Sequence, residues 1–583
     1  MRPWTAVTAS AATSAEPPPT WTVVGDRGDA VVLADLDPDA REIRRVQVAA
    51  VDLPGVVAER ERSNPARWVW HDSAQRYPPL LDAGVRVARC HDLRLARRIL
   101  AGNPHVADGT DLRRDDVWSD TPATPVLANG ETLFDLGAPG GGSSTIEETL
   151  AEFARQRRAL RSTRAGTGLH LLVAAESAGA LIACEMHAAG LPWDETRHGD
   201  VLVSELGPRP APGTRPVRLE DLASRLRAQL EAPGLNPDSP VQLLRALQRQ
   251  GLPVGSTGRW ELAGLRHPAV PTVLEYKRLA RLWAANGWAW LDEWVRQGRF
   301  RPVYIPAGVV TGRWASAGGG ALQIPRGLRV AVRADPGWRL VVADVAQLEP
   351  RVLCAMSRDM ALADAARGRD LYEGIVAGGA VTNRDDAKIA MLGAMYGATT
   401  GESGRLVPRL RRAYPRAMGL VDAAARRGED GESVATLLGR TSPEPDGAWV
   451  RAQSRASEAD AREDEVVRAR RSARERGRFT RNFVVQGTAA EWALSWLADL
   501  RMRLASMPEG RVLAPGSGPV FARRAHIAFF LHDEVIVHCP EEQAHDVVGA
   551  VRAAANTAGR LLFGDFPLDF PLDARATRTA AKD

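Results

Sequence analysis

The sequence predicts an α+β chain of more than one domain, with an α/β unit first and a longer, mostly helical body behind it. Three observations carry that prediction. Short strand-like runs alternate with helical stretches up to about residue 160. After "STRAGTG" the apolar residues recur at helical spacing through several long segments. Late in the chain, two apolar strands with acids at their ends, "WRLVVADVAQLEPRVL" and "AFFLHDEVIVHCP", interrupt the helices. At 583 residues the chain is also too long for a single hydrophobic core.

Taken in order, residues 1–20 are rich in Ala, Thr and Pro and are expected to be poorly ordered. From Trp21, "WTVVGD", "AVVLADLD", "RWVW" and "VRVARC" read as strands. "DLRLARRILAG" and "TIEETLAEFARQRRALRS" read as helices, which gives an α/β domain over 21–165. "GAPGGGSS" (137–144) reads as a flexible loop before the last of these helices. "GLHLLVAAESAGALIACEMHAAGLPWD", "SPVQLLRALQRQG" and "PTVLEYKRLARLWAANGWAWLDEWVRQG" read as amphipathic helices. A strand ending at Asp344 then opens into a helix through Gln347, Glu349 and Arg351, with Leu348, Val352, Leu353 and Met356 facing inward. "NRDDAKIAMLGAMYG" is a further helix. An Arg/Asp/Glu-dense helix near 451–478 and a separate one from "NFVVQGTAAEWALSWLADLRMRL" follow, and then the strand pair around 528–540.

The formal net charge of +5 permits a polyanionic partner without requiring one. No apolar run reads as long enough to span a bilayer, and the N-terminus lacks a signal pattern. The four cysteines, Cys90, Cys184, Cys354 and Cys539, have neither metal-ligand nor disulfide spacing, so a cytoplasmic, reduced protein is expected. Only Lys277, Lys388 and Lys582 are lysines, against 76 basic residues in all. An arginine bias of this kind most simply reflects coding composition, which makes a mid-chain lysine informative.

Two places carry chemistry. His532, Asp533 and Glu534 stand between apolar strands, where an unpartnered carboxylate costs several kcal/mol, roughly. Asp344 ends the other apolar strand; it fits a helix cap, and it equally fits a pair with Asp533 about a divalent cation. Magnesium is satisfied by one or two carboxylates plus substrate phosphates. Two such ions, about 3.5–4 Å apart, clamp the attacking and leaving oxygens of a phosphoryl transfer. On the helix at 384–396, Arg384, Lys388, Leu392 and Tyr396 recur every four residues along one face. Two cations there suit a triphosphate, although a solvated basic face has the same spacing. Gly393 and Gly397 permit close approach to that helix.

These segments resemble the three polymerase motifs of the family A DNA polymerases, the bacterial DNA polymerase I type. "DVAQLEPRV", "RDDAKIAMLGAMYG" and "LHDEVIVHCP" correspond to the three motifs in the family's order. "VLEYKRLARLW" resembles its thumb helix, "VTGRWAS…LQIP" its thumb-to-palm stretch, and "VATLLGR" with "RNFVVQGTAAEW" its fingers-to-palm passage. The resemblance covers about residues 165–570. It implies a right-hand polymerase over 166–583, with thumb at 190–300, palm at 301–370 and 476–583, and fingers at 371–475. Before it would stand a ribonuclease H-like 3′–5′ exonuclease-type domain.

By the same resemblance Asp344 and Asp533 hold two magnesium ions (manganese is an alternative), and Glu534 lies beside them near the primer end. Metal and nucleic acid would then compensate all three acids. Arg384 and Lys388 grip the incoming deoxynucleoside triphosphate, with Lys388 also placed to protonate pyrophosphate. Gln347 and Leu392 belong to that nucleotide site. Glu349 crowds the sugar 2′ position, with Tyr396 packed nearby. Arg313, Arg478, Asn482, Gln486 and His532 contact primer-template DNA. Donors at Arg313 and Gln486 could test pair geometry, because the minor groove offers acceptors in every Watson–Crick pair. A monomer associated with the nucleoid is implied.

The sequence departs from the family at several points. Leu392 stands where the family usually carries Phe or Tyr, Tyr372 replaces a histidine in "DLY", and Val345-Ala346 replace Tyr-Ser. Pro350, in the first turn of its helix, is sterically acceptable. In the N-terminal domain no Asp-x-Glu follows an early strand. "ADLD" (34–37) is the nearest imitation, Gln75 and Arg76 stand about where acids are needed, and Asp72 and Asp92 alone make no metal site. An inactive proofreading domain is therefore expected, and by length no 5′-nuclease domain. Two other readings compete: a single-subunit RNA polymerase, which Glu349 opposes, and a degenerate polymerase kept as a DNA-binding protein, which the intact Asp344, Asp533, Arg384 and Lys388 oppose.

Overall fold

The computed structural model describes residues 19–106, 112, 118, 144–164, 166–317, 320, 324–397 and 401–581. The expected disorder over 1–20 falls almost wholly outside the described residues, as does the "GAPGGGSS" loop up to its final Ser144. The chain divides into two compact units, with the division between residues 166 and 167.

In the first unit, β1 (Trp21–Arg27), β2 (Ala30–Leu36), β3 (Glu42–Ala49), β4 (Arg67–Trp70) and β5 (Cys90–Asp92) form one sheet in the order β3-β2-β1-β4-β5. The β1, β2 and β3 pairings are antiparallel, whereas β4 runs parallel to β1 and β5 parallel to β4. Two helices follow, α1 (Leu93–Leu100) and α2 (Ile146–Arg161). Thr145 and Glu148 cap α2 reciprocally, and its Ile146 and Phe153 pack with Val23, Val32 and Val69 of the sheet. β3 is absent from the sequence-based expectation because it is an edge strand whose Ile43, Val46 and Val48 are separated by the polar Arg44, Arg45 and Gln47. "VRVARC" contributes only Cys90 to a strand, since Val85 and Val87 are buried outside the sheet, with the Val87 N–H donating to the Tyr77 hydroxyl.

The second unit begins with α3 (Gly168–Ala189), which is long and apolar enough to cross a membrane by length and composition. That corrects the expectation that no such run exists, and also the amphipathic reading, because α3 is buried over most of its surface. Its Glu176 and Glu185 are buried and paired with Arg440 and Arg501, as suits the core helix of a folded unit. Helices at Glu195–Leu206, Val217–Gln229 and Pro240–Arg249 join α4 (Ala269–Asn286) in an all-helical core built on Leu202, Leu219, Leu243, Val273 and Leu279.

Later elements include, in chain order, β6 (Trp338–Val345), α5 (Leu348–Ser357), α6 (Arg384–Tyr396), α7 (Pro415–Glu429), α8 (Gly447–Ala456), α9 (Glu463–Ala505), β7 (His526–Leu531), β8 (Glu534–Pro540), α10 (Ala544–Phe563) and β9 (Leu572–Thr577). The four strands form an antiparallel sheet in the order β7-β8-β6-β9. α3, the C-terminal half of α9 and α10 cover it through Ile182, Trp492, Trp496, Val547 and Val551. A third core gathers α5, α6 and α7 about Phe483, Val484 and Val485 of α9.

The two helices expected across 451–505 are arranged differently. α8 stands apart, and one continuous helix of 43 residues runs from Glu463 to Ala505. Gly477 does not break it, because this glycine serves packing: a Cβ there would lie 2.7 Å from Glu429 Cγ on α7. α9 therefore ties the sheet core to the helical core rigidly.

Candidate active site

Strand register decides where the acids go. Asp344, next to last in β6, lies directly opposite Glu534 on β8, and the Val345 N–H donates to the Asp533 carbonyl at 2.9 Å. Asp533 sits in the tight β7–β8 turn, where His532 takes a left-handed conformation, φ 53°. Asp344 and Asp533, 189 positions apart, thus stand at neighbouring strand ends, both partly buried. On its other side Asp344 pairs in register with the exposed Asp573 of β9. Like charges directly opposed across strands are destabilising, so this row of carboxylates needs positive charge.

Arginine supplies it for Glu534. This carboxylate is buried and held by both terminal nitrogens of Arg329, one bond measuring 2.7 Å. Arg329 also stacks over the Phe529 ring at 6.0 Å. The expectation that metal and nucleic acid compensate Glu534 is therefore corrected: the side chain is committed to an internal fork-to-carboxylate pair. Among the described residues no group of three or more His, Cys, Asp or Glu is placed to hold a metal ion. Asp344 and Asp533 fit the other mode, in which one or two carboxylates share a magnesium ion with substrate phosphates.

Asp533 opens into a cleft of about 240 Å³ whose lining includes Arg313, Gln347, Glu349, Tyr396 and His532. Glu349, in the first turn of α5, is held from two sides. Arg313 pairs with one oxygen, and the Tyr396 hydroxyl donates to the other at 2.7 Å. Burial, then the Glu349 bond and charge, push the Tyr396 phenol up to about 12, while Gln486 on α9 bonds to the same hydroxyl. Burial, with the Arg313 charge, lowers His532 to about 4, so its imidazole is neutral near pH 7. Sugar-gate, primer and template candidates named from separate segments therefore meet here.

A second group centres on Asp370, which sequence reasoning missed. It accepts from Gln347 Nε2 at 2.7 Å and from Arg384 at 2.8 Å. Gln347, itself at φ 50°, also accepts from the Leu371 N–H at 3.3 Å. Burial alone would raise the Asp370 carboxyl, but the Arg384 bond and the Glu373 and Tyr372 backbone N–H groups hold it below its ordinary value. Arg384 lies over the Tyr372 ring at 5.5 Å, which gives that departure from the family a role as an aromatic rest for the arginine. The one available signal was an acid immediately before "LY", at the start of a helix.

The remaining candidates lie outside the cleft lining. Lys388 is exposed on α6, Leu392 is half-buried against the helical core, and Arg478 is exposed on α9. Gly397, ending α6, has its nearest neighbour in Arg478 Cγ, 2.9 Å from where a Cβ would stand. Asn482 Oδ1 is buried with no hydrogen-bond partner.

Behind Arg313 lies a buried ionic layer that the sequence did not announce. Gly312 takes φ 86°, and a Cβ there would lie 2.7 Å from Arg440 Nε. Arg440 pairs with Glu176 of α3, while Glu491 of α9 accepts from the Thr436 hydroxyl and the Leu438 N–H. Burial pushes Glu491 up to about 7 despite those bonds. This layer fixes the backbone that carries Arg313.

In the first unit, arginines stand against the acids. Asp26 pairs with Arg76, Asp35 with Arg44 and Arg60, Asp72 with Arg94, and Glu152 with Arg97 and Arg155. Asp92 caps α1 and is raised to about 6, first by burial and then by the Asp72 charge.

Residues 217–579 match the model of DNA polymerase family A. The chain is 28% identical over 351 residues to a thermostable DNA polymerase I of Thermus filiformis, covering 54% of this chain and 37% of that protein. It is 28% identical over 387 residues to DNA polymerase I of Chloroflexus aurantiacus, covering 59% and 37%. The chain thus spans little more than a third of the length of these two relatives. Its fold is similar to the POL domain of Pol1 from M. smegmatis, solved in complex with DNA primer-template and dNTP, at TM-score 0.65 and 15% identity over 96% of this chain and 95% of that one. Since the family model spans more than half the chain, and covers both strand-end aspartates and α6 between them, this protein belongs to DNA polymerase family A.

Proposed function

We propose that the protein is a template-directed DNA polymerase that adds deoxynucleotides to a primer 3′ end in repair or gap filling, as a cytoplasmic monomer without proofreading. The observation that supports this most is the convergence of Asp344 and Asp533 at adjacent strand ends beside the cleft shared by Arg313, Glu349, Tyr396 and His532. The helical core at 190–300 serves as thumb, the sheet core as palm, and the α6–α7 core as fingers.

Asp344 and Asp533 are the residues to hold magnesium, which when bound neutralises phosphoryl oxygens and activates the primer hydroxyl. The rest is the work of side chains. Arg384 leaves or shares Asp370 to bind the triphosphate, and Lys388 on the same face of α6 gives the leaving pyrophosphate a proton. Glu349, pinned by Arg313 and Tyr396, cannot swing away from a sugar, so a 2′-hydroxyl meets a fixed carboxylate. Neutral His532 and Arg313 contact the primer, while Gln486, Asn482 and Arg478 contact the template side. Glu534, locked to Arg329, positions the β7–β8 turn and does not bind metal.

Primer extension with magnesium, using deoxy- and ribonucleotides in parallel, tests this. Extension with deoxynucleotides alone is expected, and Glu349→Ala should raise ribonucleotide insertion at least ten-fold. No extension would leave the DNA-binding reading, and preference for ribonucleotides would favour the RNA polymerase.

A further inference from the structure

The N-terminal half of α9 carries a concentration of charge of which the proposed function uses only Arg478. Residues 468–478 contain six arginines and one acid, a net +5 equal to the formal charge of the whole chain. The inner side of this half-helix is small or apolar. Ala469, Gly477 and Thr480 are buried, and Thr480 bonds to the Ala424 carbonyl of α7 at 2.8 Å. Gln453 of α8 donates to the Ala469 carbonyl at 2.9 Å, and Arg476 turns inward over Trp449. Two helices thus brace this segment, and the other five arginines, 468, 470, 471, 474 and 478, are exposed.

Helical periodicity sets their direction. Positions 468, 471, 475, 478, 482 and 486 follow one another at spacings of three or four, so they share one face of α9, with Arg470 and Arg474 on its flank. The face begins at Gln486, beside Tyr396, passes Asn482 with its unpartnered buried oxygen, and reaches Arg478 against Gly397. From Gln486 to Arg468 it rises about 27 Å, or roughly eight nucleotides at the stacked 3.4 Å spacing. The arginines remain available along it. Arg468 pairs with Asp464 at 2.8 Å and Arg471 with Glu475 at 3.0 Å, yet their side chains are 67% and 79% exposed. Exposed pairs of this kind are worth about 0.3–0.5 kcal/mol, so a phosphate displaces the acid at small cost. Arg474 reaches only the Arg470 carbonyl, at 3.3 Å.

We infer that this face is a phosphate-binding track for the unpaired template strand ahead of the templating position. It rests on the proposed polymerase reading, because Gln486, Asn482 and Arg478 are the residues that place template at its near end. The track holds the strand by charge and carries no sequence preference.

The test is a quadruple variant, Arg468→Gln, Arg470→Gln, Arg471→Gln and Arg474→Gln, in the full chain. Its helicity and unfolding midpoint are first matched to the parent. Fluorescence anisotropy measures Kd for a primer-template with a twelve-nucleotide 5′ template overhang and for one with a single-nucleotide overhang, across a salt series without nucleotide. The track predicts at least ten-fold weaker binding of the long overhang, a salt slope shallower by about 3, and an unchanged short-overhang Kd. Equal weakening of both DNAs, or of neither, would overturn it. Single-nucleotide insertion on the short overhang is read separately: a parent protein that binds both DNAs but inserts nothing refutes the polymerase reading and leaves the track to the binding data.

Discussion

Removing Arg329 should be costly in a way that removing its partner as well largely repairs. The Arg329 and Glu534 side chains are 8% and 4% exposed, joined by two bonds, one of them 2.7 Å. Neither water nor a neighbouring acid can replace that pairing cheaply. Arg329→Met keeps the apolar stem over Phe529 but strands a buried carboxylate, and losing one partner of such a pair costs about 3–5 kcal/mol. Adding Glu534→Gln removes the stranded charge, and well-packed neutral replacements of buried pairs are often close to neutral. Urea unfolding of the parent, both single variants and the double variant, followed by tryptophan fluorescence, measures the coupling; about 2 kcal/mol or more is expected. If the two single costs simply add, the pair is not the internal compensation argued for Glu534. The same variants bear on function, since Glu534→Gln should lower primer extension far less than Asp533→Asn.

Leu392→Phe restores an aromatic where α6 offers a half-buried leucine, and stacking of about 1 kcal/mol or more should lower the nucleotide KM roughly five-fold; an unchanged KM for every nucleotide counts against a place for Leu392 at the nucleotide. Asp370→Asn frees Arg384 from a pair that is 47% exposed on the arginine side, so nucleotide binding should tighten, by no more than about five-fold; a ten-fold rise in KM would show that Asp370 instead positions Arg384. Glu491 is raised from 4.5 to about 7 by burial, so the folded state holds a proton that the unfolded state has released between those values. Stability must then fall as pH rises through that window and level off above it, by about 3 kcal/mol relative to Glu491→Gln; parallel pH profiles for the two proteins would refute the shift.

Much of the fold was legible where local pattern and burial agree. The strands at 338–345 and 526–540 are apolar on both faces and bounded by acids, and α6 carries its N-cap Asn383 in the sequence. β3 was not legible, because an edge strand in which polar and charged residues separate its few apolar ones has the composition of a loop. Nor was the unbroken α9, because Gly477 looks like a helix end until its packing partner is known. At the site, residue identities came from motif spacing and the meeting of Asp344 and Asp533 from their strand-end positions. Partners came from neither. Arg329 lies 205 positions from Glu534, Glu176 lies 264 from Arg440, and one arginine in so many gives no local signal of which acid it will meet.

The central claim, that Asp344 and Asp533 share the cations of the reaction, is tested most directly by counting bound manganese. Electron paramagnetic resonance on the complex with a chain-terminated primer, template and the next deoxynucleotide gives the number of ions. Two are predicted for the parent and for Glu534→Gln, and fewer for Asp344→Asn and for Asp533→Asn. Two ions retained in both aspartate variants would contradict the account.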